Sequence, residues 1–373
     1  MRLLMISGDR QVVLGEKGPF YAMQREFSRH FERIDVLCPR PPRAPTVLSI
    51  HERVHFHPAE VSPRRSAGWI AKAGEALVRE HGHALVVSHD YGWFRNGVGA
   101  ARISKRTEVP YVSEIHHVPG HPFASSWRER FDRSLARRYV RWARDRAAAF
   151  RVVNANEMAP LLSKWGVPRE KILVLPSLYL DLAVFRPAPA DGFDQDLVFV
   201  GRMVENKGLD RIVDALAELA ERGKRFSVLF VGRGPMRDAT RERAAKRGIG
   251  DATRFVDWVE SPEDLARIYR RSRLVVCASS CEGGPRFAVE AMACGTPAVS
   301  TKVGILGDLL ADGAAGALAG FDSASLALAI ERTLADEDRR RALGAHAAEL
   351  AARFEQSRTI QVYADGLKGL AVA

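Results

Sequence analysis

Short apolar runs alternate with amphipathic segments along the whole chain, and this alternation predicts the secondary structure. Apolar runs that end at Gly, Pro or a polar residue indicate buried strands. They lie at residues 2–7, 34–39, 84–90, 110–116, 150–154, 172–176, 197–202, 226–234, 253–259, 274–279 and 297–301. Segments with helical spacing of apolar positions lie at 21–31, 67–80, 128–146, 208–223, 262–272, 287–295, 323–336 and 338–353, and in a stretch ending near 247. Residues 40–63, rich in Pro and His, predict a loop or an edge strand.

Strands that alternate with helices in this way predict an α/β fold with parallel sheets covered by helices on both faces. The rhythm is interrupted near residues 178–196, which contain the sequence RPAPADG. We therefore expect two domains, 1–180 and 181–353, and a chain of 373 residues is long enough for two cores. Ligands of such sheets bind at the carboxyl ends of the strands, so two domains face to face would enclose a cleft.

Composition and charge narrow the class of protein. With 46% apolar and 27% charged residues the chain is an ordinary globular protein, not a disordered or fibrous one. No apolar run is long enough for a membrane span, and the N-terminus turns polar too early for a signal peptide, so we expect a cytoplasmic location. The cysteines show no Cys-x-x-Cys spacing and indicate reduced, mostly buried thiols.

The positive charge is concentrated in one half of the chain. The net charge is +11, with +12 in residues 1–180 and −1 in residues 181–373. A one-sided basic surface favours an anionic partner such as a phosphate-bearing substrate, anionic lipid or nucleic acid. The other explanation is a solubility feature of an Arg-rich proteome. No aromatic and basic nucleic-acid motif accompanies the charge, so we expect no nucleic-acid partner.

Two motifs in the second half carry candidate chemistry. In the first, GRMVENKGLDRIV (201–213), Arg202 and Lys207 lie between a strand end and a helix start, where two fixed cations suit a diphosphate. In the second, CEGGPRFAVEAMACGTP (281–297), Glu282 and Glu290 can accept hydrogen bonds from sugar hydroxyls. Glu290 stands in an apolar helix and must therefore have a partner. Alternatively, the cations are surface charges of a loop.

In this order, about 80 residues apart, the two motifs resemble those of the retaining glycosyltransferases of family 4. That family has the GT-B fold, in which two Rossmann-like parallel-sheet domains face each other across a cleft. Residues 197–304 follow the family pattern closely, with GR-x4-KG, VGRGP, FVDWV and EG-x6-EAMACGTP in succession. The sequence departs from the pattern at EGGPR, where the family commonly has EGFG, and this leaves the identity of the sugar open.

The resemblance implies roles for individual residues. Arg202 and Lys207 would hold the donor diphosphate and stabilise the leaving group, Glu282 would contact hydroxyls of the donor sugar, and Glu290 would bind the nucleotide ribose. At the departure EGGPR, outside the family pattern, Arg286 would add a cation near the phosphate or sugar, or cap a loop. Further donor-binding positions are Gly232, Gly234, Val259, Gly283, Gly284, Arg286 and Phe287.

The resemblance extends to both ends of the chain. His116 ends a predicted strand where the family often carries an active-site histidine, although the adjacent His117 is an alternative. Gly18 occupies the place of a glycine loop whose backbone touches phosphate or acceptor, but the usual Gly-Gly pair is absent. Residues 354–373 resemble the family's C-terminal helix, which often crosses back to the N-terminal domain.

An arginine-rich amphipathic segment is the third feature. Residues 128–146 contain eight Arg and three acidic residues, and Phe131, Leu135, Tyr139 and Trp142 share one helical face. Such a helix rests on anionic lipid or receives a lipid-pyrophosphate acceptor. The alternative is a domain helix that packs its aromatic stripe into the core.

We therefore expect an enzyme that transfers a sugar from a UDP- or GDP-linked donor to an acceptor hydroxyl with retention. The acceptor would be a carbohydrate or a lipid-linked molecule in cell-envelope polysaccharide or glycolipid assembly, with peripheral contact to an anionic membrane. The family usually acts without a bound metal, and the chain has no Asp-x-Asp motif. The alternatives are a nucleotide-sugar 2-epimerase of the same fold and a basic protein that binds anionic surfaces.

Overall fold

The computed structural model describes residues 1–189 and 192–371, which divide into two units. The first unit comprises Met1–Val118, Phe131–Ser177 and residues 357–371, and the second comprises Pro119–Arg130 and Leu178–Gln356. The short segment Pro119–Arg130 thus belongs to the second unit, although it lies within the first half of the sequence. The expected joint at 178–196 and the expected helix at 354–373 each include two residues, 190–191 and 372–373, outside the described ones.

The first unit is built on a mostly parallel sheet. Its strands are β1 (Arg2–Ile6), β2 (Arg33–Cys38), β3 (Ser49–Ile50), β4 (Val54–Pro58), β5 (Leu85–His89), β6 (Tyr111–Glu114), β7 (Ala149–Val152) and β8 (Ile172–Val174). They lie in the order β3-β4-β2-β1-β5-β6-β7-β8, and only the edge pair β3 and β4 is antiparallel. The central strands are buried on both faces because helices cover both sides of the sheet.

Six helices accompany this sheet in the described residues. They are α1 (Pro19–Phe27), α2 (Ser66–His81), α3 (Arg95–Thr107), α4 (Trp127–Ala143), α5 (Met158–Lys164) and, numbered in chain order, α13 (Gln356–Ala371). Pro19 at the start of α1 suits the first turn of a helix, where its missing N–H is not needed. No helix of the described residues has the length and apolarity to cross a membrane.

The second unit is built on a wholly parallel sheet. Its strands are β9 (Gln195–Val200), β10 (Val228–Val231), β11 (Thr253–Val256), β12 (Ser272–Cys277), β13 (Ala298–Thr301) and β14 (Gly316–Ala319). Their order is β11-β10-β9-β12-β13-β14, so the chain runs outward from β9 in one direction and then resumes at β12 in the other. The gap between the carboxyl ends of β9 and β12 is therefore the switch point where ligands of such sheets bind.

The helices of the second unit pack on both faces of its sheet. They are α6 (Leu209–Glu221), α7 (Arg237–Lys246), α8 (Pro262–Arg270), α9 (Arg286–Ala293), α10 (Leu306–Leu309), α11 (Ser323–Leu334) and α12 (Glu337–Ala351). Three begin at side-chain caps: Ser261, Asp322 and Asp336 each accept a hydrogen bond from a backbone N–H of the first turn. The four cysteine side chains of the protein are buried and form no disulfide, as their spacing predicts.

Most predicted elements are present, and the exceptions are local. The structure adds α3, α5, α10 and β14, which the sequence pattern did not predict. The expected strand at 253–259 ends at Val256, and the expected helix at 21–31 ends at Phe27, so Phe31 lies beyond it. The two-residue edge strand β3 and the loop before it confirm the expectation of a loop or edge strand at 40–63, and β4 lies between β3 and β2.

Candidate active site

The loops that follow β9 and β12 are hydrogen-bonded to each other at the switch point of the second sheet. The Ser280 N–H donates to the carbonyl oxygen of Asn206 at 2.8 Å, and the Asn206 side chain donates to the carbonyl oxygen of Cys281 at 3.4 Å. Gly208 follows with φ +63°, and a Cβ there would lie 2.1 Å from the carbonyl oxygen of Ala278. Only glycine allows both the left-handed turn and this close approach.

These hydrogen bonds between the loops bring together two predicted site residues that are 75 positions apart in the sequence. The Lys207 ammonium donates to Glu282 Oε1, and the Ser279 hydroxyl donates to the same oxygen at 2.8 Å. The side chains of Lys207 and Glu282 are 15% and 12% exposed. The structure thus holds one cation and one carboxylate, mostly desolvated, at the carboxyl end of the sheet. Each can exchange its partner for a charged or hydroxyl-bearing ligand.

Arg202 and the glycine turn of VGRGP lie beside this pair in the fold. Arg202 is exposed in the loop after β9, directly before Met203, whose N–H donates to the carbonyl oxygen of Arg233 at 2.7 Å. Gly232 and Gly234 flank Arg233 with φ values of +141° and +153°. This hydrogen bond joins the loop of Arg202 to the loop after β10, so the two predicted donor-binding segments form one surface.

Glu290 has the partners that its burial requires. It lies on α9 and is 7% exposed. Arg286 Nε donates to Glu290 Oε1 at 2.7 Å, and the Tyr269 hydroxyl donates to Oε2 at 3.2 Å. Burial raises the pKa of Glu290, and Arg286 opposes that rise. The guanidinium of Arg286 also lies over the ring of Tyr179, at 5.1 Å from its centroid. A ribose at Glu290 would therefore share the carboxylate with these partners.

The remaining positions of the second unit that were predicted to bind the donor lie in three places. Gly283 and Gly284 lie in the loop between β12 and α9, and the Gly283 carbonyl accepts from the Ile305 N–H at 3.2 Å. The half-buried Val259 lies in the loop after the edge strand β11, next to Trp258, which is 70% exposed. The ring of Phe287 packs against Phe199, with centroids 5.4 Å apart, so its side chain belongs to the core.

His116 and Gly18 belong to the first unit. His116 follows β6, and its Nε2 lies 3.5 Å from Arg151 Nη1 and 3.8 Å from Glu114 Oε2. Desolvation lowers the pKa of His116 to about 4, although 37% of the side chain is exposed. The Arg151 charge also lowers this pKa, whereas a hydrogen bond from the imidazole to the Glu114 carboxylate opposes the shift. The imidazole is therefore neutral at pH 7. Gly18 lies at the start of α1, where a Cβ would make only an ordinary contact with Gln11.

A buried ionic network lies next to His116 and was not predicted from the sequence. Arg151 Nη1 donates to Glu114 Oε1 at 3.0 Å, and its other nitrogens donate to the carbonyl oxygens of Leu175 and Pro176. The Tyr363 hydroxyl donates to the same oxygen of Glu114, and the Arg151 guanidinium stacks on the Tyr363 ring at 3.7 Å. Desolvation would raise the pKa of Glu114, but the charges of Arg151 and His89 hold it well below its usual range.

The arginine-rich helix packs part of its aromatic stripe into the core of the first unit. Within the first unit, Tyr139 is 6% exposed and its hydroxyl donates to the buried Asp90 at 2.7 Å. Phe131 and Trp142 are 50% and 36% exposed. The aromatic stripe therefore enters the core at its centre and remains accessible towards both ends.

Comparison with known proteins shows which family carries this arrangement. Residues 185–350 match the family described as Glycosyl transferases group 1, and residues 20–177 match the Glycosyl transferase 4-like domain. The chain is 33% identical over 338 residues to the D-inositol 3-phosphate glycosyltransferase of Frankia alni, covering 82% of this chain and 81% of that protein. This chain belongs to the family 4 glycosyltransferases.

Other relatives of this glycosyltransferase are also D-inositol 3-phosphate glycosyltransferases. The D-inositol 3-phosphate glycosyltransferase 1 of Catenulispora acidiphila is 30% identical, with 92% of this chain and 89% of that protein covered. The enzyme of Nocardia farcinica is 32% identical over 73% of this chain, which spans 64% of that protein's length. The family resemblance inferred from the motifs is confirmed.

Solved structures show that the glycosyltransferase has the GT-B fold. Sucrose-phosphate synthase from Thermosynechococcus elongatus superposes with a TM-score of 0.81 at 20% identity, covering 100% of this chain and 99% of that one. HepE from Anabaena in complex with UDP-glucose superposes with a TM-score of 0.76 at 20% identity, covering 99% and 100%. The prediction of two Rossmann-like parallel-sheet domains is thus confirmed.

Proposed function

We propose that this glycosyltransferase moves a sugar from a UDP-linked donor to an acceptor hydroxyl with retention at the anomeric carbon and without a bound metal ion. The observation that carries the proposal is the contact of Lys207 with Glu282 at the switch point, with Arg202 on the adjoining loop. The UDP-glucose complex of HepE supports the choice of UDP among the nucleotides.

The charges of the site fit a leaving diphosphate. As the bond between the anomeric carbon and the diphosphate oxygen breaks, negative charge grows on that oxygen. Arg202, and Lys207 once its ammonium exchanges Glu282 for the phosphate, would stabilise this charge, and the loop hydrogen bonds hold their backbone in place. Two cations can neutralise a diphosphate, so the proposal needs no metal ion. Glu282, already oriented by Lys207 and Ser279, would accept a hydrogen bond from a sugar hydroxyl.

The partners of the carboxylates support attack by the acceptor itself. A double-displacement mechanism needs one carboxylate as nucleophile and a second as acid. Both oxygens of Glu290 are hydrogen-bonded, and one oxygen of Glu282 accepts from two donors. We infer that the acceptor hydroxyl attacks on the face that the diphosphate leaves, and that its proton passes to the departing phosphate oxygen. Neutral His116 would orient the donor sugar rather than carry charge.

The charge distribution supports an anionic acceptor. The first 180 residues carry a net charge of +12, and the relatives' names describe a phosphorylated acceptor. We place the enzyme in the cytoplasm, at the inner face of the membrane, in the assembly of envelope polysaccharide or glycolipid.

Nucleotide release and product stereochemistry test this proposal together. UDP-glucose, UDP-N-acetylglucosamine and GDP-mannose are each incubated with inositol 3-phosphate or a lipid phosphate, with and without EDTA. We expect UDP release from one donor, insensitive to EDTA, and a product with the donor's anomeric configuration by NMR. An inverted product, or loss of activity in EDTA, would contradict the mechanism. Isomerisation of the donor in the absence of acceptor would identify an epimerase instead.

A further inference from the structure

A cavity of about 430 Å³ opens at the switch point of the first unit's sheet. It lies beyond the carboxyl ends of β1, β2 and β5, where β1 is flanked by β2 on one side and β5 on the other. Its volume is in the range of small-molecule sites in proteins. None of the residues assigned to the donor site lines it.

The cavity has an apolar floor and an aromatic rim. The floor consists of buried side chains that are at most 5% exposed: Ile6, Leu37, Cys38, Ala59 and Ile70. Trp69, Tyr91 and Trp93 form the aromatic part of the lining, with Tyr91 57% and Trp93 62% exposed. Large exposed aromatic side chains beside an apolar cavity indicate a binding surface. A polyol would leave this lining largely unused, whereas a hydrocarbon chain would bury it.

Three arginines line the same cavity. They are Arg10, Arg40 and Arg95, and none of them forms an ion pair with a carboxylate within the described parts of the chain. Arg95 lies 5.9 Å from the centroid of the Trp93 ring. Three guanidinium groups without an ion pair around an apolar cavity favour an anion, and a guanidinium group binds phosphate through paired hydrogen bonds. The lining therefore calls for a molecule with both a phosphate and an apolar part.

The aromatic rim continues onto α4, which exposes aromatic and arginine side chains. The rings of Trp93 and Phe131 meet edge to face, with centroids 6.4 Å apart. Phe131 is half exposed, and α4 also presents the exposed side chains of Arg137, Arg138 and Arg141. Exposed aromatic and arginine side chains on one helix are typical of segments that rest on anionic lipid.

We propose that this cavity is the acceptor site for a membrane-borne lipid that carries a phosphate group, with its apolar chain in the cavity and its phosphate on Arg10, Arg40 and Arg95. The inference rests on the proposed function, because that lipid supplies the hydroxyl that receives the sugar. It sets this chain apart from relatives whose names describe D-inositol 3-phosphate, a polyol phosphate without an apolar part.

Binding of n-decyl phosphate tests the cavity directly, by calorimetry on the full chain. We expect decyl phosphate to bind. Decyl maltoside lacks the phosphate and should bind at least about tenfold more weakly, since a charge-assisted hydrogen bond is worth about that factor. Inositol 3-phosphate lacks the apolar chain and should also bind at least about tenfold more weakly, because it cannot bury the apolar lining. The double variant Arg10→Ala/Arg95→Ala should weaken decyl phosphate at least about tenfold and Trp93→Ala about fivefold. Arg64→Ala and Trp127→Ala, exposed residues outside the lining, are the matched controls.

Several results would overturn the proposal. Equal affinity for decyl phosphate in the cavity variants and the controls would show that the cavity is not the site. If decyl maltoside binds as tightly as decyl phosphate, the arginines do not bind the phosphate. If inositol 3-phosphate binds more tightly than decyl phosphate, the acceptor is a soluble polyol phosphate instead of a lipid.

Vesicle sedimentation tests the membrane-borne source of the lipid. The protein should sediment with vesicles of equimolar phosphatidylcholine and phosphatidylglycerol but not with phosphatidylcholine alone, and Arg138→Glu should reduce sedimentation. No sedimentation with the anionic vesicles would overturn this part.

A UDP titration on the same samples separates this inference from the proposed function. The cavity belongs to the first unit, whereas the residues proposed to bind the diphosphate and ribose of UDP belong to the second, so every cavity variant should bind UDP like the wild type. If the wild type binds UDP but not decyl phosphate, the inference alone fails. If it binds decyl phosphate but no nucleotide, the proposed donor site fails.

Discussion

Replacing Lys207 by alanine should have a large effect on the activity of the candidate site. The substitution removes the ammonium that contacts Glu282 and that would bear on the leaving diphosphate. Loss of one preorganised donor to a developing negative charge costs about 2.7–4 kcal/mol of barrier, or about 10²–10³ in kcat. We expect Lys207→Ala to lose activity on this scale.

The fold should survive the same substitution. Glu282 keeps the hydrogen bond from Ser279 at 2.8 Å, and its side chain retains 12% exposure through which water can reach it. Leaving a partly satisfied carboxylate costs about 1–3 kcal/mol. For a unit of this size that lowers Tm by about 2–4 °C per kcal/mol. The stability loss is therefore modest beside the loss of turnover.

The assay measures steady-state UDP release at saturating donor, with circular-dichroism melts of each variant. Lys246→Ala is the matched control, because Lys246 also pairs with a glutamate but is 71% exposed, and surface pairs contribute little. Lys246→Ala should keep full activity and stability. Unchanged turnover in Lys207→Ala, or a loss no larger than that of the control, would refute the assignment of Lys207 to the leaving group.

Three further predictions concern a turn, a carboxylate and a histidine. Gly208→Ala should lower the free energy of unfolding by about 2 kcal/mol or more, because the new Cβ would clash with the Ala278 carbonyl. Gly223→Ala is the control: its φ is +78° and no heavy atom lies within 4 Å of the new Cβ, so it measures the cost of the backbone conformation alone. Equal losses in urea melts of the two would contradict the close approach. If the Glu290 carboxylate binds the ribose, the wild type should bind UDP about tenfold more tightly than 2′,3′-dideoxy-UDP in calorimetry, and Glu290→Gln should abolish most of this difference. An unchanged difference in affinity would show that Glu290 does not bind the ribose. His116 has its pKa lowered from 6.5 to about 4 by desolvation, so the unfolded chain takes up this proton first and stability falls as pH drops through that window. His116→Asn should reduce that slope in unfolding measurements, and identical slopes would contradict the assignment.

The donor side of the candidate site was accessible from the sequence because its signals are local. Arg202 and Lys207 follow β9, and Glu282 follows β12, each within a few residues of a strand end. Parallel strands bring their carboxyl ends to one edge, so side chains at two neighbouring strand ends must converge. The direct contact of Lys207 with Glu282 required one more fact, the hydrogen bonds between their loops, which no pattern in the sequence reveals.

The first unit shows why the rest could not be predicted. Arg151 and Glu114 are 37 residues apart, and Tyr363 lies 249 residues from Glu114, so only the folded sheet and α13 bring the three together. Taken one at a time in the sequence, each is an ordinary strand or helix residue, and nothing indicates that it belongs to an ionic network.

Helix α3 was missed for a related reason. Its sequence RNGVGAARISKRT contains two glycines, which local propensity assigns to a loop. In the structure, a Cβ at Gly97 would lie 1.8 Å from the Tyr139 hydroxyl oxygen, and one at Gly99 would lie 2.4 Å from Ile70. Tertiary packing requires small residues at both positions, and that requirement overrides their poor helix propensity.

Titration of the protein with UDP, GDP and ADP by calorimetry tests the central claim most directly, because the proposed mechanism begins with a nucleotide diphosphate on Arg202 and Lys207. We predict that UDP binds, that GDP and ADP bind more weakly, and that Lys207→Ala loses most of the UDP affinity while Lys246→Ala keeps it. Absence of binding by all three nucleotides, or undiminished UDP binding in Lys207→Ala, would contradict the donor site proposed for this glycosyltransferase.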